Sequence, residues 1–175
     1  MDQYIQVRGV FRAKLFDKDG NLIADLGEFS NRMMTAAMDY LLNGGLRAPP
    51  TLVGPYCAVH VGATPPVWGT NDAMTVAAGR ESANYAARQG GATLFAASAG
   101  GIINFTSPLT FTNSAASGAG SEVVQGVFIV VGTGALSTIA NTGGTLFTAG
   151  NFPSSQNWQG TNTLQVSYQL QMTSP

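Results

Sequence analysis

The chain has 175 residues, enough for one ordinary domain whose core needs neither disulfides nor a metal. Only 10% of residues are charged, against about 25% in a typical soluble domain; 8 Lys and Arg residues cannot build the basic footprint that phosphate neutralisation requires, which argues against nucleic acid as a partner. A hydrophobic content of 45% is too apolar for a disordered chain, yet no stretch approaches the ~18 consecutive apolar residues of a membrane helix, so no membrane partner is expected.

The first residues, Met1-Asp2-Gln3-Tyr4, lack the basic-then-apolar pattern of a secretory signal, so the chain is expected to be made and used without secretion. From 5 to 16 the chain alternates: Ile5, Val7, Phe11, Ala13 and Leu15 point one way, and Arg8, Arg12 and Lys14 the other. This predicts a half-buried strand, with Arg8, Arg12, Lys14 and Lys18 as a solvated stripe. Asp17-Lys18-Asp19-Gly20-Asn21 makes a turn, and 22–29 returns as the second strand of a β-hairpin. Asp17, Asp19, Asn21 and Glu28 also match positions one, three, five and twelve of a calcium-binding helix–loop–helix, but Leu22 stands where that loop requires glycine and the flanks are strands. The hairpin is therefore preferred.

Ser30 or Asn31 can cap a helix over 32–42, in which Met34, Met38 and Leu41 recur at helical spacing as a pliable core face; Asn43-Gly44-Gly45 marks its end. A long irregular excursion around 44–79 follows, broken by Pro49-Pro50, Pro55 and Pro65-Pro66, with one good strand at 56–61 and a weakly signalled short helix over 78–88. Strand patterning resumes at 93–97, 102–106, 109–112, 123–131, 145–147 and 163–172, separated by Gly/Ser/Thr/Asn stretches such as 113–121. In the last strand Leu164, Val166, Tyr168, Leu170 and Met172 alternate with uncharged Thr163, Gln165, Ser167, Gln169 and Gln171, a polar face still able to pair with another subunit. With no domain boundary, the expectation is a mainly β single domain over 1–175, sandwich-like or barrel-like, with an N-terminal hairpin and one packed α-helix.

Chemistry is sparse. His60 is the only histidine and Cys57 the only cysteine; three residues apart in a strand, they face opposite ways and form no local dyad. Together they cannot supply a zinc site. Nothing fixes the spacing of Asp39, Asp72, Glu81 and Glu122 as a carboxylate pair, and Gly100-Gly101 and Gly143-Gly144 match no phosphate-binding loop. Trp68, Tyr85 and Trp158 are read as core, with exposed stacking platforms as the alternative. The expectation is a non-enzyme with no catalytic residue, cofactor or metal; residues touching a partner are left unassigned.

The opening VFRAKLFDKDGNLIADLGEFSNRMMTAAMDYLL resembles the start of a group of small virion proteins of tailed bacteriophages, in which a strand-DxDGN-strand hairpin precedes a helix ending at a Leu-Leu pair. The far end is similar too: a GxLFxAGxF segment, here 144–152, precedes an alternating LxVxYxL strand, here 164–170. The middle matches only in general style. The resemblance implies a structural virion protein of capsid decoration or cement type, made in the host cytoplasm and placed on the capsid surface. Its implied partners are the major capsid protein and itself, as a homo-oligomer for which a trimer is expected. A tail or vertex appendage, such as a fibre or a receptor- or glycan-binding protein, is the alternative.

Overall fold

The computed structural model describes residues 6–47, 53–114 and 122–173; Ile5, Pro49-Pro50 and 115–121 of the expected linking stretch lie outside the described residues. The chain opens with β1 (Gln6–Phe16), β2 (Leu22–Ser30), the two-residue β3 (Arg32–Met33) and α1 (Thr35–Leu46). Then come β4 (Tyr56–Val61), α2 (Met74–Ala78), β5 (Gln89–Gly90), β6 (Ile102–Asn104), β7 (Leu109–Thr112), β8 (Glu122–Val131), β9 (Thr145–Trp158) and β10 (Thr163–Thr173). Two antiparallel sheets result, giving a mainly β, sandwich-like fold and not a closed barrel. Sheet A runs β2-β1-β10 with β6 and β7 both on the far side of β10, and sheet B runs β3-β9-β8-β4-β5.

The strongest alternating segments make the centre of sheet A. β1 and β10 pair without a register break from Gln6↔Thr173 to Phe16↔Thr163, so Phe11, Ala13 and Leu15 share the buried face with Leu164, Val166 and Tyr168. Burying each of the larger side chains contributes about 1.5–3 kcal/mol. Phe11 stacks on Phe29 at 5.5 Å and meets Tyr168 at 4.5 Å, and Phe29 makes a T-shaped contact with Phe152 of sheet B at 5.1 Å. These rings tie the sheets together.

The centre of sheet B is buried on both faces. From 124 to 131, β8 has no exposed residue, which matches a continuous apolar run and not an alternating one. One face meets sheet A; the other is covered by the irregular chain between β4 and β6 and by the β8–β9 connection. Residues 80–82 run beside β4, where Val61 N donates to Arg80 O at 2.8 Å and Ser82 N to Val59 O at 3.0 Å.

That pairing explains why 78–88 is not the expected helix: its backbone is committed to the edge of β4, and the short helix forms earlier, at α2. The irregular excursion accordingly runs on to 101 and does not end at 79. Residues 93–97 also miss forming a strand; they make only the isolated bridge Phe95↔Phe105. The first helix begins later than expected, at Thr35, because Arg32 and Met33 pair with Ala149 and Thr148 of β9. Neither Ser30 nor Asn31 caps it; Met34 occupies that position without a side-chain bond, and the helix continues through Gly44 and Gly45. β9 extends far beyond 145–147 because residues 152–155 bulge opposite Gln125, which accommodates Pro153 inside a strand.

One close approach is decisive for sheet B. A Cβ at Gly126 would lie 2.0 Å from Gly150 O, 2.5 Å from His60 Nε2 and 2.9 Å from Asn151 Cα. Gly126→Ala should therefore destabilise the fold by about 3 kcal/mol or more, seen as a lower urea midpoint. Gly79→Ala is the control: Gly79 has φ −68°, and a Cβ there comes no nearer than 3.4 Å to Thr75 O, so stability should change by less than about 1 kcal/mol.

Candidate functional site

The two sheets differ in what they leave bare. The outer face of sheet A carries Arg8, Val10, Arg12 and Lys14 from β1 opposite Gln171, Gln169, Ser167 and Gln165 from β10. Arg12 is paired with Glu28 and Lys14 lies 3.6 Å from Asp25, both across the hairpin, whereas Arg8 has no carboxylate partner among the described residues. On β10 and β6, Gln169 Nε2 donates to Asn104 Oδ1 at 2.9 Å. A shallow cleft of about 250 Å³ lies here, lined by Arg8, Arg12, Glu28, Asn104, Gln169 and Gln171 among others. Such a surface offers donors and acceptors in a fixed array with little net charge, suited to a protein partner with matching polar groups.

A second concavity, about 330 Å³ and almost wholly apolar, opens between α1 and the edge of sheet A, where Tyr40, Leu41, Phe95, Ile102, Phe147 and Leu170 meet. Tyr40 Oη lacks a hydrogen-bond partner among the described residues, and burial raises its pKa.

The residues singled out for chemistry are dispersed. β4 pairs regularly from Tyr56 to His60, so Cys57 and His60 lie on opposite faces, and both are fully buried. Burial raises the Cys57 thiol pKa and keeps the thiol neutral. His60 Nε2 sits 3.1 Å from Gly150 O; a carbonyl can only accept, so Nε2 carries the proton. Nδ1 has no partner among the described residues. Burial, with a smaller effect of Arg80, pushes the His60 pKa down to about 4 against the opposing bond to Gly150.

The hairpin residues that mimic a calcium loop serve the turn. Asp17 Oδ1 accepts from the amides of Asp19 at 2.9 Å and Asn21 at 2.8 Å, while Oδ2 accepts from Asn21 Nδ2 at 2.9 Å. The bonds from Asn21, side chain first, hold the Asp17 carboxyl below its ordinary pKa. Glu28 is engaged by Arg12. No group of three His, Cys, Asp or Glu among the described residues is placed to hold a metal ion.

The four other carboxylates also have separate surroundings. Asp39 is exposed on α1, Asp72 accepts from Gly69 N at 2.8 Å, and Glu122 accepts from the Ser82 hydroxyl. Glu81 forms a fully buried ion pair with Arg88 at 2.6 Å. Its Oε1 accepts from Tyr85 Oη at 2.5 Å and its Oε2 from Ala140 N at 2.9 Å. Arg88 Nη2 donates to Asn141 O at 2.8 Å, and the guanidinium lies 5.6 Å from the centre of the Phe128 ring. Trp68, Tyr85 and Trp158 are all buried, so none is a stacking platform: Trp68 donates to Asn151 Oδ1 at 3.0 Å and Trp158 to Asn162 O at 2.9 Å.

Arg88 and the inter-sheet contact of Asn31 with Thr148 and Tyr168 were not singled out from the sequence. Glycine is the available signal for the second: a Cβ at Gly9 would lie 2.4 Å from Asn31 Nδ2 and Tyr168 Oη, so only glycine leaves room for that bond.

Arg88→Met leaves Glu81 buried without its counter-ion and should cost about 3–5 kcal/mol in chemical denaturation. Adding Glu81→Gln should recover part of that loss, because the remaining group is then neutral. His60 supplies a pH dependence with a definite sign. Its folded pKa of about 4 lies below the ordinary 6.5, so the unfolded chain binds the proton more readily. Its contribution is complete above pH 6.5 and is lost as pH falls towards 4, by about 3 kcal/mol in total. Urea midpoints measured across that window should fall less steeply for His60→Gln than for the wild type.

No protein-family model matches this chain, and no curated protein matches it.

Proposed function

We propose that this chain is a non-catalytic structural protein of a phage virion, a capsid decoration protein that binds the major capsid protein and stabilises the outer shell. One observation carries the reading. The two segments whose sequences resemble phage virion proteins, the opening hairpin and the closing strand, lie side by side in sheet A through the β1–β10 ladder, and the outer face of that sheet is weakly charged and covered by no other described element. A decoration protein needs such a face, because its affinity comes from a modest contact repeated over many copies. A homo-oligomer multiplies the contact further, and a trimer suits a three-fold position on a shell.

The reading is tested by pelleting expanded shells that lack the protein after mixing them with purified chain, counting bound copies per major capsid subunit. Near-equal stoichiometry is the expected result, with Gln169→Glu and Arg8→Glu together reducing binding at least about tenfold. Saturation at a few copies per particle would replace this reading with the tail or vertex appendage. No binding at all would remove the shell as partner.

A further inference from the structure

The outer side of α1 carries an apolar stripe that none of the other described residues covers. Met38, Leu42 and Leu46 recur every four residues and are 42%, 59% and 81% exposed, while Met34 and Ala37 face the core. The helix has few supports of its own: no side-chain cap, no acidic residue in its first turn, no basic residue in its last. Gly44 and Gly45 each cost about 1 kcal/mol relative to alanine. A helix of this kind depends on packing, and here only one side is packed.

Beside the stripe runs a second line with the same spacing, Asp39, Asn43 and Arg47, all exposed. Neither Asp39 nor Arg47 has an ion-pair partner among the described residues. From Asp39 to Arg47, which follows the last helical residue and whose N–H bonds to Asn43 O, is eight residues, about 12 Å along the axis, with Asn43 at the middle. We infer that α1 is a self-association surface, on which a second copy packs its own α1 antiparallel about a two-fold axis passing near Leu42 and Asn43.

Charge selects the occupant and its direction. Under that two-fold operation Asp39 of each copy faces Arg47 of the other, Asn43 faces Asn43, and the stripe of Met38, Leu42 and Leu46 packs on itself in reverse order. A parallel arrangement would put the line of Asp39, Asn43 and Arg47 on opposite sides of the contact in the two copies, so that neither charge would meet its opposite. The pairing is isologous and therefore closed. It concerns the free protein and does not rest on the shell reading. If a three-fold contact exists elsewhere on the molecule, the α1 contact joins trimers in pairs.

Sedimentation equilibrium over a concentration series tests this with a charge exchange. The wild-type particle should have a mass that is an even multiple of the chain mass. Asp39→Arg alone and Arg47→Asp alone should each weaken that association at least about tenfold and halve the mass at intermediate concentration. The double variant Asp39→Arg/Arg47→Asp restores opposite charges across the axis and should restore the wild-type mass. Thermal unfolding of each single variant, expected near the wild-type midpoint because both sites are exposed, separates lost association from lost folding. A wild-type monomer or trimer at every concentration would overturn the proposal and hand the stripe to another partner. So would an even-numbered particle indifferent to the exchange, which would place the self-contact on another face.

Discussion

The buried pair of Glu81 and Arg88 is the constraint on which the cover of sheet B depends. Taking two charges out of water costs several kcal/mol per ion, and mutual attraction offsets that only when the remaining donors and acceptors are also satisfied. Here they are satisfied by the chain that most needs holding. Tyr85 and Ala140 donate to the carboxylate, the guanidinium reaches the carbonyls of Asn141 and Leu136, and Arg88 N donates to Ser137 O. The irregular segment after β4 and the connection between β8 and β9 are thus pinned to each other over Phe128. Segments with so little regular secondary structure have few backbone ladders of their own, and the ion pair gives them one definite arrangement.

Sheet B depends on that cover. β8 is apolar on both faces, and an apolar strand exposed on its outer side would be an aggregation hazard. His60 belongs to the same covered layer: its ring packs edge-on against Trp68 at 5.2 Å, and Trp68 is held by Asn151 of β9. The histidine stays neutral because burial disfavours its charged form by more than the bond to Gly150 favours it. The only histidine of the sequence is thereby part of the packing between a sheet and its lid.

Legibility in the sequence followed the period of the local pattern. β1, β7, β8 and β10 could be read because each either largely alternates or is mostly apolar, and those patterns imply burial on one face or on two; β2 could be read from the Asp-Gly-Asn turn that returns the chain beside β1. The end of β9 could not, since Asn151-Phe152-Pro153-Ser154-Ser155 follows neither pattern; its four-residue bulge exists only because β8 lies opposite. Residues 80–82 gave no strand signal either, because they are held by β4's backbone and not by their own side chains. The same holds for the surfaces. The polar row of β10 was visible as alternation, whereas the Glu81–Arg88 pair joins residues seven apart in irregular chain, a spacing with no signature. The stripe on α1 was half visible: Met38 was assigned to the core because its spacing from Met34 is helical, but helical spacing does not say which side of a helix is covered.

The asymmetry between the sheets bears most directly on assembly. Sheet B spends its outer face on the molecule's own chain, so the large flat surface left is that of sheet A, and there two of the three β1 cations are already neutralised by the hairpin. A surface left with amides, hydroxyls and one arginine that has no carboxylate partner among the described residues is weakly attractive to many things and strongly attractive to none. Selectivity then has to come from shape and from the register of donors and acceptors along β10, which the unbroken β1–β10 ladder holds rigid. Repetition of such a contact over many copies gives avidity without requiring any single contact to be strong. On the proposed reading, low charge, a polar sheet face and an apolar helix stripe that no described residue covers belong together: each feature gains its value when surfaces meet.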